Sequence, residues 1–497
     1  MSSYIHTPKT ININDIEKKD YNLSSSQYKG LVMPNNNYKL VKEFLSRKLN
    51  RKDLGIEVGS LSYIDKSPYF FIRTKALQEH SYLPNFTNET ALPIMPSEFV
   101  QMNLKEGDLL ISKDSNIGEI VILDKDYPNH MLSGAIYKLP VNDKWKYYLL
   151  AFIKHSIFRE QLDFMVPKGA TIRHAKTMFL DCKIPLPKNN MSNVVKYISL
   201  LTQAIINKEK LIRIAHDKIL HVIDRELKDG YDPNTFTYQL PTYNNIKSIE
   251  RLDVGIYSEL FQRYIHIIHN YKHGYSKDIY SLGFSLSRGQ NLQESNIGKS
   301  IYTDQFYKSF YTLALPTHFS EYGTINKITY LGNRNTLKTL NKGELVFGAE
   351  GTFRSFLVCD DIDQFITNIH GITLKNDNLE LSIFVKLFLD YLANKGVIDC
   401  VKVGGHGGSF AQKYWSIIPF PKFCSRIMKD LTAMYHSQKI YCAKNMTLDK
   451  FMEYDQSYNT IAGIYELDKS AKYLQQLLNR AIDDIINDRD VRITFDI

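Results

Sequence analysis

The 497-residue sequence contains few cysteines and no Cys-x-x-Cys pair. An odd number of cysteines without paired spacing argues against a disulfide framework and against a structural zinc site. We therefore expect ordinary buried thiols in a reducing cytoplasm. The five residues are Cys182, Cys359, Cys400, Cys424 and Cys442.

Long hydrophobic runs are also missing. The longest aliphatic and aromatic run, residues 147–153, is far too short to cross a bilayer. Residues 1–10 contain no apolar segment of the kind found in secretory signal peptides. The sequence thus predicts a cytoplasmic protein with no membrane association.

Catalytic motifs are incomplete. Gly298-Lys299-Ser300 resembles the end of a phosphate-binding loop, but Gln293 stands where that loop requires its first glycine. The chain lacks the Asn/Asp-Pro-Pro-Tyr/Phe motif of amino-methyltransferases and a glycine motif for S-adenosylmethionine. We expect no catalytic activity and no cofactor in this chain.

Two further groups of polar residues suggest chemistry only weakly. Asp224, Glu226 and Lys228 contain the residue types of a nuclease site, but charge pairing along a helix explains them better. His266 and His269 have no third ligand at a recognisable spacing. We therefore predict no metal site.

What the sequence does contain is ample material for a folded core and a modest excess of positive charge. Apolar residues make up 43% of the chain, and 62 Lys and Arg against 53 Asp and Glu give a net charge of +9. The excess is uneven, with 26 basic and 20 acidic residues in 1–190 but 10 and 11 in 423–497. A polyanionic partner is permitted, and the first of these segments is favoured for binding it.

The chain also repeats itself. Residues 107–110, Gly-Asp-Leu-Leu, recur as Gly-Glu-Leu-Val at 343–346, and the same offset of 236 aligns Ile136 with Ile372 without a gap. Ile-Pro-Leu-Pro-Lys at 184–188 recurs as Ile-Pro-Phe-Pro-Lys at 418–422. Two copies of one unit are therefore expected.

Within each copy, strand-like runs precede helical sequence. Aromatic and β-branched runs at 69–73 and 309–313 predict strands, and 146–163 and 381–394 predict helices. The Ile-Pro-x-Pro segment closes each unit, because proline cannot donate to a sheet or continue a helix. Each copy is thus expected to be a mixed, sheet-rich globular unit.

A long helix is predicted after each copy. Residues 192–227 contain no glycine or proline, and apolar residues recur there at heptad spacing, broken only at Lys208. A similar seam follows from 464 to 485, after an irregular stretch at 441–463. The seam positions are Ile198, Leu201, Ile205, Ile212, Ile219, Leu467, Leu474, Leu478 and Ile485.

The predicted fold is therefore α+β, with two sheet-rich units separated by long antiparallel coiled-coil helices and related by a pseudo-twofold repeat. We place the units at 1–190 and 230–422, and the helical regions at 191–229 and 423–497. The alternative is that these helices belong to the core of one large α+β domain, but their length favours a spacer.

A basic, glycine-containing loop precedes the closing segment in each copy. Lysines, arginine, histidine and hydroxyl side chains around glycine suit contacts to phosphates and base edges, whereas a solvated loop is the simpler alternative. Recurrence in both copies favours binding of one DNA duplex at two places. The candidate residues are Lys168, Gly169, Thr171, Arg173, His174 and Lys176 in the first loop, and Lys402, His406, Ser409 and Lys413 in the second.

Taken in order, these motifs resemble the specificity (S) subunit of type I restriction-modification systems. The resemblance rests on the duplicated Gly-Asp-Leu-Leu segment, the Gly-x-Thr-Ile loop at 169–172 and the Ile-Pro-x-Pro segment before each long helix. Arg251-Leu252-Asp253 resembles the start of such a recognition domain, and the likeness covers nearly the whole chain. The second loop departs from the pattern, with Gly408-Ser409-Phe410 in place of Gly-x-Thr-Ile.

The resemblance implies two target-recognition domains that each read half of a bipartite, asymmetric site in double-stranded DNA. It further implies that the helices fix the spacer and bind two methyltransferase (M) subunits, to which restriction (R) subunits attach. S-adenosylmethionine and ATP would then belong to the partner subunits. This chain would be a non-catalytic recognition subunit that contributes to phage defence.

Two other functions remain open. The chain could serve as the recognition subunit of another modification system, such as a fused nuclease-methyltransferase. It could also be a stand-alone DNA enzyme with an unrecognised site.

Overall fold

The computed structural model describes residues 4–18, 21, 23, 28–165, 176–229, 235–351, 353–360, 364–404 and 408–496. Within this part of the chain the fold is α+β. The elements up to residue 229 are the strands β1 Ile5–His6, β2 Gly30–Leu31, β3 Tyr38–Leu40, β4 Phe70–Ile72, β5 Ala91–Pro93, β6 Leu109–Ser112, β7 Ile120–Ile122, β8 His130–Leu132, β9 Ile136–Leu139 and β10 Lys183–Pro185, and the helices α1 Ile13–Glu17, α2 Lys146–Lys154, α3 Ser156–Met165 and α4 Met191–Asp229.

The remaining elements follow in the second half of the chain. They are the strands β11 Tyr275–Ser276, β12 Ser285–Arg288, β13 Ser300–Thr303, β14 Tyr311–Leu313, β15 Thr329–Asn333, β16 Leu345–Gly348, β17 Ser355–Leu357, β18 Phe365–Ile366, β19 Gly371–Lys375 and β20 Phe420–Pro421, and the helices α5 Tyr243–Ile249, α6 Glu259–His269, α7 Glu294–Ile297, α8 Leu379–Asn394, α9 Val397–Val401, α10 Ser425–Tyr435, α11 Phe451–Asn459 and α12 Ile464–Ile486.

The chain forms two compact units. The first unit comprises Ser2–Lys210, Tyr441–Thr460 and Lys469–Ile497, and the second comprises Leu211–Ile440 and Ile461–Asp468. Each long helix therefore contributes residues to both units. The predicted division of the chain into four consecutive segments follows the order of the sequence, whereas these two units are defined by compactness. The division therefore stays a prediction.

The strand pairings repeat from unit to unit. In the first unit β6 lies between β7 and β9, both antiparallel to it, and in the second β16 lies likewise between β17 and β19. β4 pairs antiparallel with β5 and parallel with β8, just as β14 pairs with β15 and β18. The internal repeat predicted from the sequence is thus present in the sheets.

The closing segments also pair alike. β10 is antiparallel to β3, and β20 is antiparallel to β11, so each proline-rich segment forms an edge pair with an early strand of its own unit. A buried tyrosine hydroxyl donates to the carbonyl of the first proline in each segment, Tyr148 to Pro185 and Tyr264 to Pro419.

The gap-free alignment at an offset of 236 is wrong by one residue after the first hairpin. Ser112 pairs with Ile136, whereas its counterpart Gly348 pairs with Gly371 and not with Ile372. The cause is the hairpin loop, since seven residues separate β6 from β7 and six separate β16 from β17. A slip of one residue reverses the face that each side chain occupies, so hydrophobic similarity alone could not locate it.

The long helices run through both cores. Residues 194–206 of α4 share the first unit's core with residues 474–486 of α12, and residues 212–227 of α4 share the second unit's core with Ile464 and Leu467. This reversed order is that of an antiparallel pair. α4 has 39 residues and is about 58 Å long. All nine seam residues are buried, with exposed fractions of 6% or less.

The irregular stretch that interrupts the second helical region forms α11 and packs within the first unit. Asp455 of this stretch forms an ion pair with Lys208 at 2.8 Å. Lys208 is the residue that breaks the heptad pattern of α4. The sequence could not link these two irregularities, because 247 positions separate them.

The cysteines follow the expectation only in part. Cys182 and Cys359 are buried, and burial raises the pKa of each thiol. Cys424 and Cys442 are exposed, which contradicts the prediction of buried thiols. Cys424 directly precedes α10 and Cys442 lies in an irregular segment, so neither lies on a core face.

No helix in the described ranges combines the length and apolar character needed to cross a membrane. Within the same ranges, no cluster of three or more His, Cys, Asp or Glu side chains could hold a metal ion.

Candidate nucleic-acid interface

The second glycine-containing loop lies between α9 and a 3-10 turn, Gln412–Ile417. Its two sides meet at Val403 and Ser409, whose backbone amides each donate to the other's carbonyl at 2.9 and 2.8 Å. Ser409 also bridges to Glu350, just beyond the end of β16. The described residues on the two sides of the loop are therefore paired with each other and joined to the segment that follows β16, an inner strand of its sheet.

Arg251 holds the first side of this loop. Its guanidinium donates to the carbonyls of Val401 and Lys402, at 2.7 and 3.0 Å, and its Nε donates to Asp253 at 2.6 Å. The carbonyls belong to the last turn of α9 and the residue after it, where helical partners are absent. Arg251 is buried, so it fixes the exit of α9 and the entry to the loop.

The same arginine also touches the second side of the loop. Its guanidinium carbon lies 4.3 Å from the centre of the Tyr414 ring, a cation–π distance. One side chain therefore contacts the residues that precede and follow the loop. The sequence pointed to Arg251 only through its resemblance to a family motif and gave it no role.

Aromatic packing anchors the loop in the core. Phe410 is fully buried, and its amide donates to the carbonyl of Ala349 at 2.7 Å. Its ring packs edge-on against Trp415 and Phe347, with centroids 4.8 and 5.7 Å apart. This packing gives the departure from Gly-x-Thr-Ile a structural explanation, because Phe410 fills a core position in this copy.

The cations of this loop differ in availability. Lys402 forms an ion pair with Asp399 at 2.8 Å, whereas Lys413 is exposed and its ammonium lies 4.9 Å from the centre of the Tyr414 ring. Glu350, beside Ser409, pairs with His370 at 2.8 Å. The predicted residues Lys402, Ser409 and Lys413 thus come from one loop, and Lys413 is the exposed cation among them.

The first loop falls largely outside the described residues. Lys168, Gly169, Thr171, Arg173 and His174 lie outside them, as does His406 of the second loop. Lys176 is described, and it is exposed with a positive φ of 47°.

A glutamine joins the elements on either side of the first loop. The Gln161 side chain of α3 donates to the carbonyl of Lys183 at 2.9 Å and accepts from the amide of Lys183 at 2.8 Å. Lys183 opens β10, so these two bonds tie the end of α3 to the closing strand. Each copy therefore has a side chain that joins an element before its basic loop to residues after it, although the two side chains are unrelated in sequence position.

The acidic residues near the end of α4 are structural. Asp224 pairs with Lys228 at 2.7 Å and with Lys395 at 2.9 Å, and Glu226 pairs with Lys272 at 3.1 Å. Although burial opposes it, hydrogen bonds from these two lysines and a tyrosine lower the pKa of Asp224 to about 2. The Asp224–Lys228 pair agrees with the interpretation of this segment as i,i+4 charge pairing along a helix, whereas the pairs with Lys395 and Lys272 join α4 to other segments of the second unit.

Sequence analysis missed a second exposed group of side chains in the second unit. Ile301, Tyr302, Phe306 and Tyr307 are all exposed, although each is large and apolar or aromatic. The density of aromatic residues between 301 and 311 was the available signal, but the strand prediction covered only its end, at 309–313.

Comparison with protein-family models gave no match, and no curated protein sequence matches the chain. Among solved structures, the chain is similar to the type I restriction-modification system S subunit from M. genitalium, with 13% identity, 91% of this chain and 97% of that chain covered, and a TM-score of 0.36. It is also similar to the HsdS subunit from Thermoanaerobacter tengcongensis, with 10% identity, coverage of 91% and 96%, and a TM-score of 0.25. A chain from a structural study of complex assembly and conformational transition in the type I system is similar at 10% identity, with coverage of 92% and 99% and a TM-score of 0.28.

Proposed function

We propose that this chain is the DNA specificity subunit of a type I restriction-modification complex. It recognises a bipartite, asymmetric site and directs methyltransferase and restriction subunits to that site. The chain itself is non-catalytic in this proposal.

One observation carries the proposal, namely the duplicated sheet topology. In each unit a strand flanked by two antiparallel partners, a parallel strand pair and a proline-rich closing pair follow the same order along the chain. A duplicated scaffold joined by long helices suits recognition of two separated DNA segments, as in DNA-binding proteins whose symmetry matches their half-sites.

The two copies differ at the edges of their sheets, as expected of a protein that binds the unequal halves of an asymmetric site. The second unit's sheets have the strands β12 and β13 at the ends of the sheets that correspond to β9-β6-β7 and β5-β4-β8, where the first unit has only the isolated bridges Leu54–Tyr137 and Tyr63–Ile94. The scaffold is kept while the periphery changes, so each copy offers its own surface to DNA. Unequal surfaces favour unequal half-sites.

Partner subunits complete the proposed complex. The repeat offers two equivalent platforms, which suits binding of two identical methyltransferase subunits. In this proposal S-adenosylmethionine and ATP bind to the partner subunits and not to this chain. The long helix α4, about 58 Å by its 39 residues, supplies a rigid spacer.

Long-read methylation mapping tests the proposal directly. DNA is taken from cells that express this chain with its neighbouring methyltransferase and from cells that express the methyltransferase alone. We expect a split motif with a fixed gap only when this chain is present. Identical methylation in both samples would remove the proposal.

A binding measurement separates recognition from modification. The purified complex should bind a duplex that carries the mapped motif more tightly than a duplex in which one half is scrambled, at the same salt concentration. Equal binding to both duplexes would indicate a sequence-independent DNA protein instead.

A further inference from the structure

The exposed segment formed by residues 299–310, here called the arm, contains β13 and the turn that follows it. Ile301 and Tyr302 are neighbours in β13, so their side chains point to opposite faces of the strand. Their exposed fractions are 65% and 52%. Both faces of the strand are therefore exposed. A strand that only extended a core sheet would have one face buried.

The edge of the arm is open as well. β13 stands at the end of the sheet order β13-β15-β14-β18, and within the described residues it pairs with β15 alone. An exposed edge strand with apolar side chains invites association, so proteins normally shield or charge it. The arm therefore has the features of a surface that a partner covers.

The turn of the arm is exposed but held in one shape. Phe306 and Tyr307 are 64% and 48% exposed. The amide of Phe310 donates to the carbonyl of Tyr307 at 2.9 Å, and the Phe306 ring packs edge-on against Tyr330 with centroids 5.5 Å apart. A preorganised surface loses little conformational entropy when it binds.

Glycine at position 332 allows this packing. Gly332 of β15 lies opposite Ile301, and a Cβ atom there would come within 2.4 Å of the Phe310 ring. The ring lies directly over the strand because no side chain intervenes. The base of the arm is therefore tightly fitted, while its outer residues are uncovered.

The arm has only a reduced counterpart in the described part of the first unit. β14, β15 and β18 correspond to β4, β5 and β8. At the edge that matches the position of β13, the first unit has an isolated antiparallel bridge between Tyr63 and Ile94 in place of a strand. The arm therefore differs between the two units, as expected of an element that reads a particular sequence.

The charge of the residues around the arm indicates what kind of partner it binds. Residues 298–342 contain six Lys and Arg against two Asp and Glu. Lys299, Lys308 and Arg334 of this segment are exposed. Positive charge around an apolar centre favours a polyanion and disfavours edge-to-edge pairing of two copies, in which like charges would meet.

Resting on the function proposed above, we propose that the arm enters the major groove of the half-site read by the second unit. Tyr302 and Phe306 determine which bases are accepted there. A major groove about 12 Å wide admits a strand that stands at the edge of its sheet, and β13 with its turn is such an element. The tyrosine hydroxyl suits base edges, the phenyl ring suits a thymine methyl group, and Lys299 and Lys308 suit phosphates.

The test uses the full chain with its methyltransferase and the mapped split motif. Tyr302→Ala and Phe306→Ala should each lower methylation of that motif by roughly tenfold and relax the base preference in one half only. The other half and the gap should persist, which shows that the variant chain is folded. Tyr280→Ala, at another exposed aromatic residue of the same unit, is the matched control and should leave the motif unchanged.

Salt dependence distinguishes the lysines from the aromatic residues. Lys299→Ala and Lys308→Ala should weaken binding to all duplexes alike and reduce the slope of log affinity against log salt by about one each. Light scattering at matched concentration checks whether the arm instead joins two copies of the chain.

The outcomes are separable. If the wild-type chain directs no split motif, the proposed function fails before the arm is tested. If the wild type directs one and the Tyr302 and Phe306 variants direct the same motif at equal strength, the arm inference is wrong. Equal loss in both halves, or loss of self-association with an unchanged motif, would also overturn it.

Discussion

The ammonium of Lys208 lies 2.8 Å from a carboxylate oxygen of Asp455, and both side chains are completely buried. The Tyr441 hydroxyl donates to the same carboxylate at 2.9 Å, and the ammonium donates to Asn459 at 2.6 Å. The rings of Tyr441 and Tyr458 also lie within cation–π distance of the ammonium. The polar residue in the heptad pattern of α4 therefore binds to side chains of the segment that interrupts the second helical region.

Replacing the lysine alone should be costly. Lys208→Met leaves the Asp455 carboxylate buried without its cation, and breaking one side of such a pair costs about 3–5 kcal/mol. We expect a loss of this size in the free energy of unfolding, measured by urea titration followed by circular dichroism. The double replacement Lys208→Met with Asp455→Leu should recover part of the loss, because no isolated charge then remains.

A nearby surface lysine supplies the control. Lys210 pairs with Glu106 at 3.1 Å and is 37% exposed. Lys210→Met should therefore change the free energy of unfolding by less than about 1 kcal/mol. Equal effects at positions 208 and 210 would show that the buried pair contributes no special stability.

Arg251 should determine the shape of the second loop. Arg251→Ala removes the donors to Val401 and Lys402, and Arg251→Lys cannot restore them, since a single ammonium lacks the guanidinium's planar set of donors. We expect both variants to weaken binding to the half-site read by the second unit by tenfold or more. Half-site duplex titrations at fixed salt provide the measurement.

An exposed arginine of the same unit tests whether any loss of positive charge has this effect. Arg263 pairs with Glu259 one helical turn away and is 46% exposed. Arg263→Ala should bind the half-site like the wild type. Normal binding by Arg251→Lys would contradict the proposed positioning role.

The basic residues of the first loop should serve the other half-site. Arg173→Ala and Lys176→Ala are expected to weaken binding to the half-site read by the first unit, because each removes a cation suited to phosphate or base contacts. Competition titrations with each half-site duplex at matched salt measure the effect. Unchanged binding would exclude these residues from the DNA contact.

The sequence predicted the repeat, the long helices and the strands at 69–73 and 309–313 because those features follow from local pattern. β4 and β14 lie within these two runs, and α12 begins at Ile464, where the second seam begins. Periodicity reports which face of an element is buried, and this information is contained in neighbouring residues.

Long-range pairings could not be predicted in the same way. The contact of Lys208 with Asp455 and that of Arg251 with the loop at 402–414 join residues far apart in sequence. In the sequence, a lysine at a buried heptad position looks like a break in the apolar pattern, because its partner is not evident. The one-residue difference between the hairpins was hidden for a related reason, because apolar residues occur on both faces of these buried strands.

The candidate site was predicted least completely. Basic loops were identified by composition, whereas the arm was not, because strand propensity does not reveal whether an apolar side chain faces a core or solvent. Tyr302 and the buried Tyr330 lie in paired strands, yet only the tertiary structure distinguishes their surroundings.

The ion pairs of Asp224 near the end of α4 should make part of the free energy of unfolding sensitive to acid. Asp224 has a pKa of about 2 in the folded chain, below its ordinary value of 3.8, because the hydrogen bonds of Lys228, Lys395 and Tyr391 to its carboxylate outweigh the opposing effect of burial. A lowered pKa means that the stabilisation is complete above the ordinary value and is lost as the pH falls toward the folded value. Asp224→Asn should therefore be less stable than the wild type at pH 6, and the difference should shrink as the pH falls from about 4 toward 2. Urea titrations across this range measure the difference, with Asp15→Asn as an exposed control, and a constant gap between wild type and Asp224→Asn would mean that the ion pairs do not couple protonation of Asp224 to folding.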